Sequence, residues 1–263
     1  MPTTSSLRYR SSKLKNNPVL IRQLFDSESS TYTYLVADTD AEVALLIDPV
    51  SEKLSSYIQL LADLSLQLKY ALDTHCHADH ITALGQLRDI TGCETLAGKP
   101  SAMACVDRFF ADGDILQLGS IALRAIYTPG HTDDSYCFFL DGEQQLLFTG
   151  DTLLIRGTGR TDFQNGSSEE LYDSLFTKLL KLPDQTTVFP GHDYKGWTQS
   201  TILEERQSNP RLQVKNWQEL DSLLEQLKLM NPKLMDIAIP ANKQCGKTSL
   251  PDAGLNFLAD KPL

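Results

Sequence analysis

The sequence predicts a layered α/β protein in which two sheets are covered by helices. Short apolar runs rich in β-branched and aromatic residues alternate with amphipathic stretches along the chain. Some of these runs lie close enough to pair as hairpins, whereas others are separated by a helix-length segment. With 263 residues, 41% of them apolar and 22% charged, the chain can bury one large core and keep an ordinary surface. It reads as a flexible segment over 1–18 followed by a single domain over 19–263 with a short helical C-terminal extension.

Strands are expected at Val19–Phe25, Thr31–Ala37 and Val43–Asp48, each bounded by turn residues. Glu52–Gln67 reads as a helix, with Leu54, Tyr57, Ile58, Leu61 and Leu64 on one stripe. A short strand, Tyr70–Asp73, feeds Thr74-His75-Cys76-His77-Ala78-Asp79-His80. A second helix is expected from Asp79 to Ile90, stopped by Gly92. Further strands fall at Glu94–Ala97, Ile115–Leu118, Ile121–Tyr127, Ser135–Leu140 and Leu146–Thr149. Ser167-Ser168-Glu169-Glu170 resembles a capping box, opening a helix through Leu171, Leu175, Leu179 and Leu182 that Pro183 ends. Thr187–Phe189 is one more strand. Trp217, Leu220, Leu223, Leu224 and Leu227 mark a last long helix whose stripe is core packing.

The formal charge of −10 argues against nucleic acid as a partner, because phosphate binding needs a basic face. No run approaches the ~18 apolar residues of a membrane span. The five cysteines, Cys76, Cys93, Cys105, Cys137 and Cys245, are widely spaced without a C-x-x-C pair. That pattern predicts free thiols and a reducing compartment, the cytoplasm. Arg8, Arg10, Lys13, Lys15 and Arg22 precede the first carboxylate, Asp26, among many Ser and Thr, which is faintly like a transit peptide.

Three of the chain's five histidines, His75, His77 and His80, lie in one stretch of six residues with Asp79. The other two follow strands as well: His131 in Thr128-Pro129-Gly130-His131 and His192 in Pro190-Gly191-His192. Asp151 lies in Thr149-Gly150-Asp151 after another. Glycine lets such turns bend sharply beside a ligand, and loops on a rigid scaffold are where chemistry sits. A lone histidine is more often packed than ligating; all five at strand ends is a different matter. His75 and His77, two apart in an extended segment, point the same way and can face one ion. Asp79 and His80 can reach a neighbouring position. Imidazole with carboxylate suits zinc, iron or manganese.

The series His75-x-His77-x-Asp79-His80, His131, Asp151, His192 resembles the metallo-β-lactamase superfamily from about residue 20 to 195. The resemblance implies an αββα sandwich with metal at one edge of the two sheets. Such a site supports two chemistries. All the ligands together hold two ions that hydrolyse esters and thioesters. Two histidines and one carboxylate alone leave open faces, as in non-haem Fe(II) oxygenases. The spacing does not choose.

Flanking residues 150–164, GDTLLIRGTGRTDFQ, and 190–212, PGHDYKGWTQSTILEERQSNPRL, are similar to those of the persulfide dioxygenases. So is IPANKQCG at 239–246. Glyoxalase II, a binuclear hydrolase of glutathione thioesters, is the alternative; it normally carries a larger helical C-terminal domain. The dioxygenase resemblance implies one Fe(II) per chain held by His75, His131 and Asp151, with glutathione persulfide and O2 as reactants. His77, Asp79, His80 and His192 would orient ligands and waters. Arg160, Tyr194 and Arg211 match positions that hold glutathione, whose carboxylates suit arginine's planar fork. Cys245 falls in a motif stretch and is the thiol expected near the site and open to oxidation. Relatives of this kind imply a homodimer.

Overall fold

The computed structural model describes residues 18–228, 230–232 and 234–247. The N-terminal segment expected at 1–18 lies outside them except for Pro18. Two six-stranded sheets face each other. The first runs in chain order: β1 (Val19–Asp26), β2 (Thr31–Asp38), β3 (Val43–Ile47), β4 (Gln67–Leu72), β5 (Glu94–Gly98) and β6 (Arg108–Phe110). β1 to β3 form an antiparallel meander, and β3 to β6 are parallel. The second sheet contains β7 (Ile115–Leu118), β8 (Ile121–Tyr127), β9 (Tyr136–Leu140), β10 (Leu146–Phe148), β13 (Thr187–Phe189) and β14 (Ser200–Thr201). Its order is β14-β13-β10-β9-β8-β7, with only β10 and β13 parallel. A small hairpin, β11 (Leu153–Leu154) with β12 (Gly157–Thr158), follows Asp151.

Side-chain alternation builds the layers. On β2, Tyr32, Tyr34 and Val36 enter the core between the sheets, where they meet Phe138, Phe148 and Phe189. Leu35 and Ala37, pointing the other way, pack under α1 (Leu54–Asp63) and α2 (Leu84–Thr91). Every residue of β2 is therefore buried, which hides the polar–apolar alternation of a half-exposed strand. On β9 the same split sends Tyr136, Phe138 and Leu140 inward, and Cys137 and Phe139 outward. The outward pair meets a third cluster, filled by Leu171 of α3 (Ser168–Asp173), Ile202 of α4 (Ile202–Ser208) and Leu220 of α5 (Trp217–Glu225). The result is helix, sheet, sheet, helix, the αββα order that the resemblance implies. A last helix, α6 (Met235–Asn242), returns to the first sheet's side.

Several boundaries depart from the sequence reading. The helix expected from Glu52 to Gln67 ends at Asp63, and β4 starts at Gln67, because parallel pairing with β3 claims those residues. The helix expected from Asp79 starts at Leu84. Asp79 and His80 instead lie in an irregular loop, with the Asp79 carboxylate engaged by Thr31, His80 and His192. α5 stops at Glu225, short of Leu227. β6, β11, β12, β14, α4 and α6 were too short or too weakly patterned to expect. The expectation of unpaired cysteines is corrected too: Cys105 and Cys245 form a disulfide across 140 residues of chain. Cys76, Cys93 and Cys137 are free and buried.

Candidate metal centre

Four parallel or edge-adjacent strand ends converge at one rim of the sandwich. The loop after β4 brings His75, His77, Asp79 and His80. The turns after β8, β10 and β13 bring His131, Asp151 and His192. The sheets are joined here: Tyr32 N donates to Gly191 O (2.8 Å), and Tyr34 Oη donates to Pro190 O (2.6 Å).

Six of these seven donors sort into two neighbouring groups, and His192 belongs to neither. His75, His131 and Asp151 offer ligand atoms all within 4.8 Å of one another, and so do His77, Asp79 and His80. The pair expected to share an ion, His75 and His77, is thus divided between groups, although their rings lie 4.2 Å apart.

Hydrogen bonds fix which nitrogens face the first group. His131 Nδ1 lies 2.8 Å from the carbonyl of Arg160, which only accepts, so Nδ1 donates there and Nε2 is the nitrogen turned to the group. Thr74 Oγ1 donates its single proton to Asp48 (2.9 Å) and therefore accepts from His75 Nδ1 (3.0 Å). His75 too presents Nε2. Burial, reinforced by His77 and His131, pushes its pKa well down, so the imidazole is neutral.

His192 is different. Nδ1 lies 2.6 Å from Asp151 Oδ1 and Nε2 lies 3.0 Å from Asp79 Oδ2. Burial opposes its charge, but the two carboxylates overcome that and raise its pKa well above the usual range. Asp151 is correspondingly lowered: desolvation raises it, and His192, His131 and His75 more than reverse that. His77 turns Nε2 to Asp48 Oδ1 (3.1 Å); despite desolvation, that carboxylate lifts it to about 9. Two buried nitrogens of the second group, His77 Nδ1 and His80 Nε2, have no partner.

A cleft of about 820 Å³ opens over the first group. Arg160, Tyr194 and Arg211 all line it, with Phe163 and Met230. Arg160 forms a fork with Asp162 (2.5 and 2.6 Å) and donates to Met230 O (2.7 Å). Arg211 donates to the carbonyl and hydroxyl of Thr158. Tyr194, 73% exposed, stacks its ring on His192 at 6.0 Å. Cys245 does not line the cleft; it packs beneath the first sheet with Leu84 and Leu87 of α2. Residues the sequence reading missed include Asp48, which holds Thr74 N (2.6 Å) as well as His77. Asp134 accepts from Cys76 N (2.9 Å), and Asn242 clasps the histidine loop from behind. Asp48 could have been found, since it ends a strand just as Asp151 follows one.

The metallo-beta-lactamase superfamily model matches residues 27–192, which contain every donor above. The persulfide dioxygenase ETHE1 (mitochondrial) of Bos taurus is 46% identical over 230 residues, 87% of this chain and 89% of that protein. That of Homo sapiens is 44% identical, with the same coverage. The crystal structure of ETHE1 from Myxococcus xanthus superposes with a TM-score of 0.83 at 49% identity, covering 87% of this chain and 100% of that one. The chain belongs to the metallo-beta-lactamase superfamily, in its persulfide dioxygenase family. The ligand atoms of the first group lie close enough together to face a single ion. The neutral His75 imidazole and the Nε2 of His131 face it, and the Asp151 carboxylate is held ionised beside them. Among the described residues no helix is long and apolar enough to cross a membrane.

Proposed function

We infer that the chain is a mononuclear Fe(II) persulfide dioxygenase, taking glutathione persulfide, O2 and one water to glutathione and sulfite with release of two protons. The observation that carries this is the division of donors. His75, His131 and Asp151 present free ligand atoms, whereas His192 is engaged by two carboxylates and His77 by Asp48. Iron bound by those three residues would supply the redox chemistry and open coordination faces for both reactants.

The chain's own residues bind and orient. Arg160 and Arg211, on the cleft wall, fit the carboxylates of glutathione. On a chain of formal charge −10 such local cations offset an unfavourable background. Tyr194 adds an exposed ring over His192. The Arg160 carbonyl fixes the His131 tautomer, so the residue that meets substrate also steers a ligand. His192 holds its proton between Asp151 and Asp79 and keeps Asp151 anionic.

Anaerobic purification with metal quantification, followed by O2 uptake on glutathione persulfide, tests this. One iron per chain with stoichiometric uptake is the expected result. Two zinc ions per chain without oxygen uptake would overturn it. That outcome would belong to a glyoxalase II-type binuclear hydrolase, the alternative that the similarity to persulfide dioxygenases does not favour. Lactoylglutathione hydrolysis without O2 would identify it. The reading also carries a homodimer, checked by light scattering. It carries a cytoplasmic location, with organellar targeting by the N-terminal segment as the alternative; import into isolated mitochondria decides between them.

A further inference from the structure

Residues 239–246 pack against the histidine loop, Asn242 bonding to its backbone. Residues 73–81 of that loop are neither helix nor strand, so their buried backbone groups need partners from elsewhere. Asn242, fully buried at the end of α6, supplies three. Its Nδ2 donates to the carbonyls of His77 and His80, each at 2.9 Å, and its Oδ1 accepts from Thr82 N at 2.9 Å. The partners fix the amide's orientation, since carbonyls only accept and a backbone N–H only donates. Only a side chain with two donors and an acceptor in one plane satisfies all three.

The fit around it is close. Gly246 has φ +83°, and a Cβ there would lie 2.1 Å from the Thr82 carbonyl oxygen. Gly85 N donates to Cys245 O at 3.1 Å, and Cys245 is tied through its disulfide to Cys105. The loop in turn carries a row of rings: His80 to His77 and His77 to His75, each 4.2 Å between centroids. A displacement of the His77 and His80 backbone is therefore passed to His75.

We propose that Asn242 is a positioning residue of the metal centre, setting the place of His75 through the backbone of His77 and His80. This rests on the reading of His75, His131 and Asp151 as metal ligands. The test compares the wild-type chain with Asn242→Ala, Asn242→Ser and Ile237→Gly, a helix-weakening change on the exposed face of α6. Each is loaded with Co(II), and three things are read: the thermal midpoint, the visible spectrum of the bound cobalt, and the rate of cobalt loss to a chelator. Asn242→Ala is expected to release cobalt about 10–100-fold faster, with a displaced spectrum, as for other partners that orient ligands. Asn242→Ser, which keeps one donor, should fall between it and the wild type. Ile237→Gly should lower the midpoint and leave spectrum and release rate unchanged. If the Asn242 variants change only the midpoint, as Ile237→Gly does, the proposal is overturned. Should Asn242→Ala fail to fold, Asn242→Ser decides in the same way. A wild-type chain that takes up no cobalt overturns the ligand assignment and this inference with it; normal uptake with unaltered variants overturns this inference alone.

Discussion

At Asp151 the two carboxylate oxygens face different partners: Oδ1 the His192 ring at 2.6 Å, Oδ2 the His131 Nε2 at 3.6 Å. Removing the charge and removing its support should therefore separate. Asp151→Asn is expected to abolish metal retention, because it removes the one anionic donor of the group and an amide is a poor ligand. His192→Gln should keep about one metal per chain and reduce turnover by ~10–100-fold. Metal analysis of both variants checks this; equal metal loss would mean that His192 is a ligand. On the cleft wall, Arg211→Lys keeps the charge but not the fork. Its expected signature is a KM raised about tenfold with kcat little changed, the mark of a contact made equally before and during reaction. These ligand candidates were legible because histidine is scarce and each follows a strand. Asp134 and Asn242 were not, since a single polar residue acquires its meaning from what the fold brings against it. Cys245 shows the converse: its motif position was legible, but its pairing with Cys105 depends on contacts 140 residues apart.

At the level of elements, strands were legible where turns bound them, and helices where an apolar stripe ran on. The loop over 73–81 was read partly as helix because Asp79 looks like a first-turn acid. The bonds from Asn242, Asp48 and Asp134 that hold it irregular come from other parts of the fold. A similar long-range tie joins the sheets at their far end. Asp38, closing β2, accepts at Oδ2 from Ser120 N and Oγ, both 2.6 Å, in the turn between β7 and β8. Its Oδ1 accepts from Asp40 N and Ala41 N, both 3.0 Å. Burial opposes its charge, yet the Ser120, Ala41 and Asp40 bonds outweigh that and hold the carboxyl below its ordinary range. A carboxyl lowered on folding stabilises above its unfolded pKa, ~3.9, and that contribution disappears as pH falls through the folded value. Asp38→Asn should then cost about 1–3 kcal/mol at pH 7. The gap from wild type should begin to narrow below pH ~4, where the unfolded chain takes up the proton, and close as pH falls through the lower folded value. Urea unfolding at pH 7 and pH 3.5 measures it, and a gap that stays constant would show that charge plays no part.

Across the whole molecule, most of the stability lies in three apolar clusters stacked through the sandwich. Among the described residues, the C-terminal stretch meets the first sheet's side through α6, the disulfide and the bond from Gly85 N to Cys245 O. That disulfide closes a span of 140 residues. In the chain-entropy account such a long closure restricts the unfolded state strongly, with an upper value of roughly 5 kcal/mol and typical measured values of about 2–4 kcal/mol. Cys105→Ser is expected to lose about 2–4 kcal/mol of unfolding free energy. Wild-type protein unfolded in excess thiol should fall to the same stability, because both routes remove the same constraint. The variant itself should not respond to thiol. Cys76, Cys93 and Cys137 are buried and unpaired, so among the described residues no second bridge confuses the comparison. The decisive quantity is the thiol response. If wild type and Cys105→Ser unfold at the same denaturant concentration with or without reductant, the two sulfurs are not bonded in solution. Residues 239–246 would then be held to the histidine loop by Asn242, the Gly85–Cys245 backbone bond and the packing of α6.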